Sequence, residues 1–202
     1  MKRLIAIILS CCLCVALSAC AQFDYNKAQT AFASGDFEEA HALFAELGDY
    51  EDSAEMTEKC SYQMGIQLME QKKYSEAIKR FEALGDYGNC AALIRECRIG
   101  QVDVLLQGTW TSVQLDIIEV TYRFTAGKYH TTMTVNGSSL SNEGSYRIDL
   151  DSNSIYICRD YTVAPDGTKL PEAEEKLLLT FTQKDGGLKL TDSGNNLCTK
   201  EG

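Results

Sequence analysis

Nine cysteines and two histidines are the residues of this 202-residue chain best suited to act as nucleophiles or metal ligands. Cys11, Cys12 and Cys14 lie in an apolar N-terminal run, and Cys20 follows directly after it. The five that remain, Cys60, Cys90, Cys97, Cys158 and Cys198, are odd in number, which excludes complete internal pairing. Cys60 and Cys97 hold equivalent places in two helical units, where packed axes lie about 8 to 10 Å apart, beyond the roughly 7 Å that a disulfide spans. They read as small buried apolar groups. Cys158 and Cys198 fall on strand-like segments and either bridge two strands or stay as thiols. His41 and His130 have no Cys, Asp or His at ligand spacing, so no metal site is expected. Asp149-x-Asp151-x-Asn153 opens like a calcium loop, yet Ser154 stands where its glycine belongs and Asp160 where its glutamate belongs, so a polar hairpin turn is expected. The chain has no Gly-x-Ser-x-Gly elbow, glycine-rich phosphate loop or His-Glu-x-x-His pattern. No catalytic residue and no cofactor is therefore expected.

The one cysteine with an assignable chemistry is Cys20. Lys2-Arg3 precede an apolar run from Leu4 to Leu17, the layout of a secretory signal, and the run is too short for the roughly 20 residues of a membrane-spanning helix. Its ending, Leu17-Ser18-Ala19-Cys20, resembles the bacterial lipobox. That resemblance implies a diacylglyceryl group on the Cys20 thiol, cleavage of residues 1–19 as a lipoprotein signal peptide, and a protein held at the extracytoplasmic face of the cell membrane. The net charge of -10 becomes about -12 once Lys2 and Arg3 leave. Anionic headgroups repel such a surface, so the acyl chains must do the anchoring. Nucleic acid is excluded as a partner on the same ground, because phosphate binding needs clustered Lys and Arg. Residues 20–24 are expected as a lipidated tether reaching about 17 Å at most.

Behind the tether the chain repeats itself. A shift of 37 positions aligns Tyr25 with Tyr62, Ala40 with Ala77, Phe44 with Phe81, Leu47-Gly48-Asp49-Tyr50 with Leu84-Gly85-Asp86-Tyr87, and Cys60 with Cys97. Apolar residues within each unit recur at helical spacing, and Gly35, Gly48 and Gly85 punctuate them. Asp36 with Glu39 forms a capping-box start, and Asp49 and Asp86 are candidate N-caps. The pattern predicts helices over about 24–34, 37–47, 50–71, 74–84 and 87–106. Ala28, Ala40 and Phe44, then Gly65, Ala77 and Phe81, resemble the small-residue and aromatic positions of tetratricopeptide (TPR) helical hairpins. The period exceeds the family's usual 34, and Asp52 and Asn89 stand where it has proline. The resemblance covers about residues 23–107, with the repeat domain placed over 25–107, and implies a surface that binds a protein or peptide.

From Gly108 the period changes to two. Val120, Tyr122 and Phe124, then Tyr129, Met133 and Val135, then Tyr146, Ile148 and Leu150 alternate with polar residues. Ala126-Gly127, Asn136-Gly137, Asp166-Gly167 and Asp185-Gly186 mark the turns. About eight short strands over 108–202 predict an antiparallel meander closed into a small β-barrel or folded as a sandwich. Gly108-x-Trp110 on the first strand resembles the opening of lipocalin-like barrels. That resemblance implies a tryptophan plugging one barrel end, a basic residue near it whose position the sequence leaves unassigned, and in some members an apolar ligand inside. A barrel this small is expected to fill its interior with side chains.

The expected molecule is a multidomain α and β protein, a TPR-like array followed by a lipocalin-like barrel. Its expected role is that of a membrane-anchored, non-enzymatic interaction module, with carriage of a small apolar ligand by the barrel as the alternative.

Overall fold

The computed structural model describes residues 20–171 and 175–201, so the expected signal peptide lies outside the described residues. Among the described residues five helices are followed by nine strands, and the chain divides into two compact units between Cys97 and Arg98.

The helical unit contains α1 (residues 20–34), α2 (Phe37–Leu47), α3 (Ser53–Glu70), α4 (Tyr74–Leu84) and the first half of α5 (Cys90–Leu106). Residues 20–24, expected as a tether, are already helical. The 37-residue shift holds in three dimensions. Tyr25 meets Phe44 and Tyr50 with ring centroids 5.8 Å away in each case, and Tyr62 meets Phe81 at 5.9 Å and Tyr87 at 5.7 Å. Each tyrosine hydroxyl donates to the residue that replaces the expected proline, Asp52 or Asn89, at 2.5 Å. A proline there would offer no acceptor side chain, which accounts for the departure from the TPR pattern. The N-cap of α3 is accordingly Asp52 rather than Asp49, and its carboxylate binds Tyr25 instead of capping. At α2 the capping expectation holds, with the Asp36 carboxylate accepting from the Glu39 amide at 3.1 Å. Ala28, Ala40, Phe44 and Cys60 are fully buried in one cluster, and Ala77, Phe81 and Cys97 in the next. Gly65 must lack a side chain, because a Cβ there would lie 2.5 Å from the Phe81 ring.

The barrel unit begins inside α5, whose Val102 and Leu106 belong to the barrel core. The unit therefore starts about ten residues before the expected boundary at 108. Its strands are β1 (Gly108–Gln114), β2 (Ile118–Thr125), β3 (Lys128–Val135), β4 (Ser138–Asp149), β5 (Ser154–Val163), β6 (Lys169–Pro171), β7 (Glu175–Lys184), β8 (Gly187–Asp192) and β9 (Leu197–Lys200). Eight of them close an antiparallel ring in the order β1-β2-β3-β4-β5-β7-β8-β9, with β9 pairing back on β1. This is the barrel alternative, not the sandwich, and it is compatible with a lipocalin-like domain. β6, unforeseen in the sequence, pairs only with the far end of β5. The turn pairs Ala126-Gly127, Asn136-Gly137 and Asp185-Gly186 have positive φ at both positions, as two-residue hairpins of right-handed twist require.

Trp110, Tyr122, Phe124, Ile155, Ile157, Leu179, Phe181 and Leu190 form one contiguous buried cluster inside the ring. At one end the tail of α5 covers it, and the Trp110 indole N–H donates to the Leu106 carbonyl at 2.8 Å. Lys200, opposite Trp110 in the ladder, lays its ammonium 5.3 Å from the indole centroid and donates to the Leu105 carbonyl. Gly108 makes this possible: its φ of +115° disfavours any other residue, and a Cβ would meet the Lys200 stem at 3.2 Å. Toward the other end of β1, Ser112 and Gln114 donate to the Asp192 carboxylate at 3.0 and 2.8 Å. Asp192 is 3% exposed and also accepts from the Gly194 and Asn196 amides of the β8–β9 turn. Burial pushes its pKa up, and the bonds from Asn196, Gln114 and Ser112 outweigh that and hold it below the usual range.

Two predictions follow from these positions. Lys72 takes the left-handed conformation (φ 60°) at the place Gly35 holds in the preceding unit. Relief of a strain of roughly 1–2 kcal/mol, less the chain entropy of a glycine of about 0.5–1 kcal/mol, should make Lys72→Gly more stable by about 0.5–1 kcal/mol in urea unfolding. Asp192→Asn keeps the shape and removes the charge, and should cost about 1–3 kcal/mol at pH 7. Because the folded carboxyl titrates low, its contribution is complete above the unfolded value of about 3.9 and fades as pH falls through the folded one. The difference between variant and parent should therefore shrink below about pH 4; a gap constant from pH 7 to pH 2 would contradict the role assigned to Asp192.

Candidate functional site

The expected site residue, Cys20, is exposed at the start of α1, with its thiol free of any disulfide. The other cysteines divide by burial. Cys60, Cys90, Cys97 and Cys198 are buried, Cys158 is exposed, and all are free thiols. Cys158 and Cys198 do not pair: β7 and β8 separate their strands in the ring, and Cys158 points outward while Cys198 lies in the core. Burial pushes the Cys60 thiol up to about 11, and burial together with the Asp192 charge pushes Cys198 up to about 12. Both remain protonated and unreactive at neutral pH.

His41 lies half-buried on α2. Asp149 behaves as the expected turn residue, accepting from the Asp151 and Ser152 amides at 2.9 and 3.3 Å. No group of three His, Cys, Asp or Glu side chains able to hold a metal ion occurs among the described residues. Among them no helix is long and apolar enough to cross a membrane.

His130 is where the structure adds what the sequence did not show. On the outer wall of the barrel, Arg123 of β2, His130 of β3 and Glu143 of β4 are direct cross-strand neighbours, with Tyr161 of β5 next in the row. His130 Nδ1 lies 3.1 Å from Glu143 Oε1 and its Nε2 lies 3.1 Å from Thr132 Oγ1. The Tyr161 hydroxyl donates to the other Glu143 oxygen, and the Lys169 ammonium sits 4.1 Å from the Tyr161 ring centroid. The Glu143 carboxyl is held below its usual range, first by the Tyr161 bond and then, against the opposing effect of burial, by His130. Side-chain bonds in this row thus join β3, β4 and β5, and antiparallel register alone created them: 13 residues separate His130 from Glu143 and 18 separate Glu143 from Tyr161.

The ladder is interrupted beside this row. Glu143 faces Tyr161 while Gly144 faces Arg159, so Asp160 is an extra, unpaired residue on β5. Gly144 is required there, since a Cβ would come within 2.0 Å of the Cys158 carbonyl oxygen. Beside the bulge lies a cleft of about 340 Å³ lined by Arg123, Lys128, His130, Glu143, Gly144 and Asp160 among others. The carboxylate–imidazole–hydroxyl order of Glu143, His130 and Thr132 has the sequence of an acyl-transfer relay. On β3 itself the backbone amides are spent in the ladder, since that strand is paired on both sides. What the arrangement offers is a polar cleft with fixed donors and acceptors.

Tyr161→Phe should leave the fold intact and move the Glu143 carboxyl upward toward the ordinary carboxylate range. Carboxyl carbon shifts followed by NMR against pH would show this, and an unmoved Glu143 titration would refute the assigned cause.

No protein-family model, no curated protein and no solved structure matches this chain.

Proposed function

We propose that the chain is a lipid-anchored surface protein of a bacterial membrane, acylated at Cys20, whose TPR-like helical unit binds a protein or peptide partner without chemistry of its own. One observation carries the binding reading: the two duplicated hairpins each bear an open cleft on corresponding helices. The first, about 540 Å³, lies along α1 and α2 between Phe23, Lys27, Ala31 and Glu39. The second, about 470 Å³, lies along α3 and α4 between Leu68, Glu76, Lys79 and Arg80. Ala31 and Leu68 are equivalent under the 37-residue shift, as are Glu39 and Glu76. Repeated clefts on stacked hairpins form the kind of extended surface on which an elongated segment docks. Phe23, 70% exposed, supplies an apolar contact at the near end.

The lipocalin-like unit is read as a scaffold. Trp110 under Lys200 supports the resemblance, since these residues stand at the tryptophan and basic positions that the family leads one to expect. The contiguous buried cluster around Tyr122, Phe124 and Phe181 favours a filled barrel over the carriage of an apolar ligand.

Photo-crosslinking amino acids placed at Thr30 and at Arg80 of the membrane-bound protein test the reading. Both positions should give an adduct with the same partner, and a control at Asp151 should not. Absence of a shared adduct would count against a groove running along the array. In parallel, Cys20→Ala should abolish acyl labelling and release the protein from the membrane fraction; retained labelling would overturn the assignment of Cys20.

A further inference from the structure

The outer wall of a closed barrel is convex, so a cleft on it needs a cause. Here the cause is the bulge at Asp160, which brings the β5 backbone against Gly144 and breaks the regular outer row. Charge divides across this cleft. Its β2–β3 side carries Arg123 and Lys128, and its β4–β5 side carries Glu143 and Asp160. The four groups sum to no net charge, and they are sorted by sign. Arg123 is exposed and has no side-chain hydrogen bond or ion pair among the described residues. Lys128 and Asp160 meet only at 3.7 Å and are 68% and 54% exposed, so their contact is weak and easily exchanged for a ligand's charges. The His130 ring, clamped between Glu143 and Thr132, lines the cleft between the two sides.

We propose that this cleft binds a short peptide carrying both free termini, its carboxylate on Arg123 and Lys128 and its ammonium on Glu143 and Asp160. A neutral but polarised site favours a ligand that is itself neutral and polarised. A dianion such as phosphate would face Glu143 and Asp160 uncompensated, and a simple cation would face Arg123. Length follows from the register. Arg123 and Glu143 are two strand spacings apart, about 9–10 Å, and an extended chain of three residues covers about 10 Å. The guanidinium can take the terminal carboxylate through two parallel hydrogen bonds. The site is separate from the helical clefts, and its existence does not depend on them.

Trialanine is the probe, titrated calorimetrically into the full mature chain beside its N-acetylated and its C-amidated forms and beside acetate. Saturable binding of trialanine is expected, with each cap weakening it tenfold or more. In Arg123→Ala the C-terminal cap, and in Glu143→Gln the N-terminal cap, should each have less effect than in the parent, because Lys128 and Asp160 remain. Both substitutions are on the surface, and unchanged near-ultraviolet circular dichroism would show that the barrel is intact; Lys128→Ala gives a second handle on the carboxylate end. Absence of saturable binding overturns the proposal, as does indifference to the caps. Binding untouched by Arg123→Ala, which would place the peptide on the helical clefts, and acetate binding as tightly as trialanine, which would mark a plain anion site, overturn it too.

Discussion

The barrel depends on β1, the strand that closes it. β1 pairs with β2 along its whole length, whereas its ladder with β9 has two residue pairs, at Trp110 and Thr111, extended by the Glu201 amide donating to the Thr109 carbonyl. Side chains reinforce what the short ladder leaves weak. Trp110 joins the tail of α5 through Leu106, and Lys200 crosses the seam to cover the indole. Farther along, Ser112 and Gln114 reach Asp192 on β8, bypassing β9 altogether. A buried carboxylate is costly unless its lone pairs are filled, and five donor groups fill these: the Ser112 hydroxyl, the Gln114 and Asn196 side-chain amides, and the backbone amides of Gly194 and Asn196. Asp192 therefore does for one end of the seam what Trp110 does for the other.

The helical unit solves a smaller problem twice. Two helices approach closely only where one presents a small residue, and Ala28 with Ala40, then Gly65 with Ala77, provide it. The aromatic on the second helix fills the remaining groove, and the tyrosine of the first helix packs on that aromatic while its hydroxyl reaches the start of the following helix. Asp52 and Asn89 are thereby explained as acceptors rather than caps. This three-part contact recurs in both units, joining each hairpin to the start of the following helix.

The candidate cleft obeys the opposite logic, since it exists where regularity fails. An unbroken β4–β5 ladder would present a convex wall with side chains at every outward position. The extra residue at Asp160 displaces the register by one and brings the β5 backbone so close to Gly144 that no other residue is tolerated there. Arg123, Lys128, His130, Glu143 and Asp160 line the cleft beside it. In the chain itself the same residues look like scattered surface polar groups.

Local patterns were legible from the chain alone. Helical spacing, glycine stops and the 37-residue shift placed α2 and α4 at their observed bounds, and positive-φ turn pairs punctuated the hairpins, because these features depend on neighbours a few residues apart. The identity of Trp110 as an end plug was legible as a motif, yet its partner Lys200, 90 residues away, was not. Nor were the burial of Asp192, the added strand β6, the outward turn of Cys158 against the inward turn of Cys198, or the meeting of His130 with Glu143. Each of these is set by strand register around a closed ring, and a one-residue bulge such as that at Asp160 changes which side chains meet without leaving a local mark. The sequence by itself determined the two-part architecture, a helical unit followed by an antiparallel β unit. Only the tertiary structure decided which polar residues face one another, since pairing across strands is a property of the closed barrel and not of any segment within it.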